Sequence, residues 1–226
     1  MRRLATVLAA GALTLTAACQ QPAFAAEKVV EAPNAVRKAK EGSGLKTAIF
    51  AGGCFWGVEA VFSHTKGVTS AVSGYHGGTE RSATYSLVSS GVTDHAEAVK
   101  VTYDPKVIRY DQLLRIYFSV IADPTQLNRQ GPDTGAHYRS AVVPMSAEQN
   151  AVASAYIAQL GKAGLWNKPI VTRIERAQGF YPAENYHQDF AAKNPNHGYI
   201  VRWDAPKVAA LKRLYPGVYR AEFRRD

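Results

Sequence analysis

Residues 47–62 read TAIFAGGCFWGVEAVF, and the fold turns on how this stretch is parsed. Thr47 to Ala51 is a short, largely apolar run that stops at Gly52-Gly53, after which Val58, Val61 and Phe62 recur at helical spacing. A strand, a glycine turn and a helix ended by Lys66-Gly67 satisfy both periods. Cys54 then falls on the first turn of the helix, where unpaired backbone N–H groups and the positive end of the dipole lower a thiol pKa from about 8.5. Gly52, Gly53 and Gly57 leave room for a substrate to approach the backbone. A free cysteine is also a common small core residue, and the local sequence leaves both readings of Cys54 open.

Downstream, Val68 to Tyr75 reads as a second strand, and Gly77 to Thr93, rich in Gly, Ser and Thr, as a long loop of the functional kind. Ala96 to Tyr103 alternates, with Ala98, Lys100 and Thr102 on one face and Glu97, Val99, Val101 and Tyr103 on the other. A carboxyl on an apolar face has a raised pKa, so Glu97 could hold a proton near neutrality and donate it. A glutamate at a sheet edge, reaching solvent or a basic partner, is the alternative. Asp104-Pro105 ends this strand, and a helix follows with Leu113, Tyr117, Val120 and Ile121 on one side.

Asp123 to His137 is a second polar loop, Arg139 to Val143 a strand, and Ser146 to Gln149 a capping box that opens a helix striped by Val152, Tyr156 and Leu160. Ile170 to Arg176 reads as a further strand. Strands and helices alternate between long excursions, which predicts an α+β two-layer sandwich with a mixed or antiparallel sheet, helices packed on it and long functional loops. A strictly parallel, doubly wound sheet is the alternative.

The N-terminus carries Arg2 and Arg3, an apolar run from Leu4 to Ala18, and Ala23-Phe24-Ala25. The run is shorter than the roughly 20 residues a bilayer span needs, so residues 1–25 read as a secretory signal peptide and the protein as exported, to the periplasm. An N-terminal anchor, or a lipid on Cys19, is the other reading. Residues 26–44 lack an apolar period and read as a flexible leader, 45–206 as the catalytic domain, and 207–226 as a solvated basic tail.

Loss of Arg2 and Arg3 takes the net charge from +9 to +7. The basic residues are scattered except for Lys207, Lys212, Arg213, Arg220, Arg224 and Arg225, which argues against a nucleic-acid partner. Of the two cysteines, only Cys54 would remain after processing, so it cannot form an internal disulfide.

Adjacent helical residues project about 100° apart, so Phe55 and Trp56 cannot both face one core. One of them lines the mouth of the site, as an aromatic wall suited to a methyl group. Tyr85, Asp133 and Tyr138 sit in or beside the two long loops, where binding residues concentrate. Six histidines permit a rival Cys-His nucleophilic pair. His95 shares a strand face with Glu97, but without Cys-x-x-Cys or His-x-x-x-His spacing no metal is expected.

Gly-Cys-Phe-Trp-Gly at 53–57 together with His95-Ala96-Glu97, Tyr103-Asp104-Pro105, Asn128-Arg129-Gln130-Gly131, Tyr138-Arg139-Ser140, His187-Gln188-Asp189-Phe190 and Lys193-Asn194-Pro195 resembles the type A peptide methionine sulfoxide reductases, from about Thr47 to Pro206. The resemblance implies a ferredoxin-like core and thiol-dependent reduction of the S epimer of methionine sulfoxide, free or in proteins. Cys54 is then the nucleophile, Glu97 the acid, Tyr85, Tyr138 and Asp133 the groups that orient the sulfoxide oxygen, and Phe55 and Trp56 the methyl pocket.

Many relatives carry further cysteines near the C-terminus, whereas this chain has none after Gly198 and places Ile200 where some have one. No cofactor is expected; the reductant is an external thiol, such as a thioredoxin-like domain or a small thiol, acting on a monomer. Asp94 and His137 also depart from the family pattern, and Asp94 is expected to add negative charge near Glu97. A Cys-His hydrolase or acyltransferase, and a basic envelope-binding module, are the rival functions.

Overall fold

The computed structural model describes residues 29–225, so the proposed signal peptide lies outside the described residues. β1 (Lys46–Gly52) leads through Gly53 and Cys54 into α1 (Phe55–Ser63), and β2 (Val68–His76) follows. The loop after β2 contains the short α2 (Tyr85–Ser89), then come β3 (Ala96–Tyr103) and α3 (Tyr110–Ile116), which continues as a π-helical turn at Tyr117–Ile121. The second polar loop holds a small hairpin, β4 (Arg129–Gln130) and β5 (Asp133–Thr134). β6 (Ser140–Val143), α4 (Ala147–Lys162), β7 (Arg173–Ile174), β8 (Phe180–Pro182), α5 (Phe190–Lys193) and α6 (Ala205–Leu214) complete the chain. Ser146 Oγ accepts from the Gln149 N–H at the start of α4, so the helix begins where the sequence expected.

Six strands form one mixed sheet in the order β7-β6-β1-β3-β2-β8, antiparallel throughout except for the edge pair β6 and β7. β3 lies in the middle, with Phe50 opposite Val99 and Tyr75 opposite Glu97. The C-terminal end of β1, where the chain turns into α1, therefore sits beside the start of β3. Helices α1, α3 and α4 share one core with Ala48, Phe50, Val99, Val101 and Tyr103 of the sheet. The opposite face is closed by small residues, Ala51, Ala96, Ala98 and Ala141, with Ile49, Val143 and the ring of Phe180. No helix among the described residues is long and apolar enough to cross a membrane.

Two boundaries differ from the sequence reading. The expected flexible leader is packed from Val29 onward: Ala32, Ala35 and Ala39 are buried, the Ala32 N–H donates to Ser119 Oγ at 3.0 Å, and the Tyr156 hydroxyl donates to the Pro33 carbonyl at 2.7 Å. Its end is tied by Glu41, whose carboxylate accepts from the Tyr103 hydroxyl at 2.5 Å, the Tyr110 N–H at 3.2 Å and Gln149 Nε2 at 3.1 Å. The segment covers α3 and α4 with small side chains and carbonyls, a role that needs no helical or strand period and so leaves no pattern in the sequence. The expected basic tail is likewise folded: Ala210, Leu211 and Tyr215 are buried, Tyr219 bridges to Thr65, and the Arg220 and Arg224 amides donate to His64 and Ser63 carbonyls.

Candidate active site

The site forms where β1 gives way to α1. Gly53 has φ +84°, and a Cβ placed there would stand 2.6 Å from Cβ of Gln130. Only glycine meets both demands. Gln130 is 1 % exposed and bonds Asp123 through both amide atoms, so the second loop is pressed against the turn that presents Cys54. Gly57, one turn along, is required for a different reason: its Cβ would lie 2.3 Å from Oδ1 of the buried Asp204.

Cys54 occupies the N-cap of α1 and is partly buried. Glu97, from the middle strand, is 2 % exposed and its Oε2 accepts the Phe55 N–H at 3.0 Å. Burial, with Asp133 and Asp204 adding charge, pushes the Glu97 carboxyl up to about 8, against the pull of the Phe55 amide. The acid is thus protonated at neutral pH.

Tyr85 and Tyr138, one from each long loop, both lie within electrostatic reach of Cys54 and Glu97, and burial first, then these groups, raises their hydroxyl pKa values. Asp133 stands beside them and accepts from the Tyr199 hydroxyl. Trp56 is half-buried and stacks on Phe190, with centroids 3.7 Å apart and planes within 8°, a contact worth about 1 kcal/mol beyond its area. Tyr199 and His197 meet the Trp56 ring edge-on. Phe55 instead points inward, 1 % exposed, against Tyr75 and His187. The adjacent aromatics therefore divide as helix geometry requires, Phe55 into the core and Trp56 along the wall.

The family model for peptide methionine sulfoxide reductases matches residues 46–216. The chain belongs to that family. It is 57 % identical over 180 residues to peptide methionine sulfoxide reductase MsrA 2 of Mesorhizobium japonicum, covering 80 % of this chain and 92 % of the relative. It is 49 % identical to peptide methionine sulfoxide reductase MsrA of Deinococcus radiodurans, over 77 % of this chain and 84 % of the relative. Among solved structures it resembles reduced Mxr1 from Saccharomyces cerevisiae, with TM-score 0.62 and 36 % identity over 70 % of this chain and 90 % of that one. Methionine sulfoxide reductase A of Corynebacterium diphtheriae aligns with TM-score 0.57 and 35 % identity, over 67 % and 76 % of the two chains.

In this member of the reductase family six of the residues singled out by sequence, Cys54, Trp56, Tyr85, Glu97, Asp133 and Tyr138, lie close together, whereas Phe55, expected in the methyl pocket, turns its ring into the core because two adjacent helical residues cannot share one direction. Two electrostatic expectations fail. The Cys54 thiol is pushed well above its ordinary value, by burial first and then by Glu97, Asp204 and Asp133, and the Trp56 backbone amide at the helix start does not offset them. Asp94 is exposed, and the charges that raise Glu97 belong to Asp133 and Asp204 instead.

The Cys-His pair left open by sequence is not what the histidines build. His187 is buried and accepts from Trp56 Nε1 at 3.1 Å, and burial lowers its pKa. His95 spans the turn after β2, accepting from the Gly78 N–H at 3.2 Å and donating to the Thr79 carbonyl at 2.9 Å.

Asp204, Tyr199, Phe190 and Glu184 are additions that sequence reasoning missed. They lie in a stretch with no regular period, and the signal available was its density of rings: Tyr186, His187, Phe190, His197, Tyr199 and Trp203.

Proposed function

We propose that this chain reduces methionine (S)-sulfoxide, in proteins or as the free amino acid, to methionine, with Cys54 as nucleophile and Glu97 as acid. The observation that carries the assignment is the placement of a carboxyl with a pKa of about 8 in the group around a partly buried cysteine, in a chain of the reductase family.

A sulfoxide oxygen leaves poorly unless it is protonated. Glu97, neutral at physiological pH, donates its proton to that oxygen while the tyrosine hydroxyls of Tyr85 and Tyr138 hold it. Trp56 offers an apolar wall to the methyl group. The sulfur of Cys54 attacks the sulfoxide sulfur, the S–O bond breaks, and the oxygen passes to Cys54 as a sulfenic acid while methionine leaves. The proton lost by the thiol replaces the one Glu97 gave up, so thiol and sulfoxide become sulfenic acid and thioether. Two equivalents of an external thiol then return Cys54 to the thiol through a mixed disulfide, releasing water and a disulfide. A supply of both electrons from outside is supported by the sequence, in which no cysteine follows Cys54 and Cys19 lies in the segment read as a signal peptide.

The Arg2-Arg3 start, the apolar run to Ala18 and the Ala23-Phe24-Ala25 pattern support export, with repair of oxidised envelope proteins in the periplasm as the setting.

The test is turnover of the two separated epimers of a methionine sulfoxide peptide with dithiothreitol. Turnover of the S epimer alone, abolished by Cys54→Ser and strongly slowed by Glu97→Gln, is expected. No turnover by folded wild-type protein would overturn the assignment.

A further inference from the structure

The turn Glu184–His187 lies outside the groups given a chemical role above, yet two of its side chains reach the site from one short segment. It is fastened to β2 on both sides. The Ala183 N–H donates to the Ser73 carbonyl at 2.9 Å, and Gln188 accepts from the Ser73 N–H at 3.0 Å while its Nε2 donates to the Ser73 and Ala183 carbonyls, each at 2.9 Å. The His187 N–H closes the turn on the Glu184 carbonyl at 2.9 Å.

From this base Glu184 Oε1 accepts the Tyr85 backbone N–H at 2.9 Å, and its Oε2 accepts the Tyr75 hydroxyl at 2.8 Å. Tyr85 opens α2, a five-residue helix in an exposed loop, whose N-cap Thr84 makes no side-chain capping bond. Glu184 therefore connects this loop to the sheet at the residue whose ring enters the site. His187 Nδ1 accepts from Trp56 Nε1, which leaves the ring proton on Nε2, and its ring packs at 4.9 Å from Phe55 and 4.6 Å from Tyr85.

We infer that Glu184 and His187 are positioning residues with separable effects: Glu184 fixes the hydroxyl of Tyr85 where the sulfoxide oxygen is held, and His187 fixes the plane of Trp56 against the methyl group. The inference rests on the reading of Tyr85 and Trp56 under the proposed function. An oxygen-binding group acts mainly on the transition state and so on the rate at saturation. A methyl wall binds ground and transition states alike and so acts on the half-saturating concentration.

The experiment measures methionine formation in single turnovers without reductant, giving a maximal rate and a half-saturating concentration for a methionine (S)-sulfoxide peptide. Glu184→Ala should lower the maximal rate about tenfold with the half-saturating concentration within about twofold, and Glu184→Gln, which can still accept from Tyr85 and donate to Tyr75, should recover most of it. Glu184→Asp, a methylene too short to reach both partners, carries the same expectation as Ala if that variant does not fold.

His187→Phe keeps the ring and loses the acceptor; it should raise the half-saturating concentration about fivefold at an unchanged rate, and His187→Asn should restore part of the loss. On a Trp56→Phe background, which has no N–H to orient, His187→Phe should add nothing. Equal losses in both parameters, or a His187 effect that survives in Trp56→Phe, would overturn the inference. Tyr85→Phe and Trp56→Ala serve as controls: if they leave rate and half-saturation respectively unchanged, it is the underlying site reading that fails.

Discussion

The amide of Phe55 and the carboxyl of Glu97 are joined by a 3.0 Å hydrogen bond, so the first residue of α1 and the second residue of β3 hold each other in place. The bond ties the acid to the residue that follows the nucleophile, although Glu97 and Cys54 lie on different elements. It also draws the Glu97 pKa down from where burial alone would leave it.

The first prediction concerns the thiol. Burial, the charge Glu97 takes up as it ionises, and the charges of Asp204 and Asp133 oppose ionisation of Cys54, so its alkylation by iodoacetamide should be slow at neutral pH and still be accelerating above about pH 9. Asp204→Asn removes one of these charges and should speed alkylation severalfold at about pH 8. A rate that levels off near about pH 7 would mean that the helix start dominates instead.

Stability should carry the signature of Glu97. Its folded pKa, about 8, lies above the ordinary 4.5, so the folded state holds more protons than the unfolded state between those values. Its contribution is then fully present below about pH 4.5 and is lost as pH rises through about 8, by about 5 kcal/mol at most. Buried histidines with lowered pKa values, such as His187 and His76, slope the other way over part of this range. The difference in urea midpoint between wild type and Glu97→Gln isolates the carboxyl: the variant should lose less stability between about pH 5 and pH 8.

Gly53→Ala should be costly before any chemistry is considered. The new Cβ would require φ +84° and a shift of the Gln130 side chain, which holds Asp123. A loss of about 2–3 kcal/mol is expected, read as a fall in Tm of several degrees. An unchanged Tm would mean the second loop yields freely.

The N-terminal brace makes a prediction of its own. Glu41→Ala strips the Tyr103 hydroxyl of its acceptor and removes partners of Gln149 and the Tyr110 amide. About 1–3 kcal/mol of stability should go with it, measured by denaturant midpoint, while the rate of methionine formation per folded molecule stays the same.

What could be read along the chain was what repeats locally. The alternation of β3 put Glu97 on the apolar face, because successive strand residues point to opposite sides whatever surrounds them. The glycine turn and helical spacing put Cys54 at a helix start, and that too holds in the structure.

The sequence by itself determined the strands and helices β1, α1, β2, β3, α3, β6 and α4, the places of Cys54 and Glu97 on them, and the family to which the motifs belong. Only the tertiary structure decided the protonation of the site and its walls. A pKa depends on which distant groups are brought close and dry: Asp133 reaches Cys54 from β5, and Tyr199 and Asp204 from the helical turns that lead into α6. Val29 to Gly44 and the chain after Pro206 became part of the core for the same reason: their stabilisation lies in contacts with residues far away in sequence, which no local pattern records.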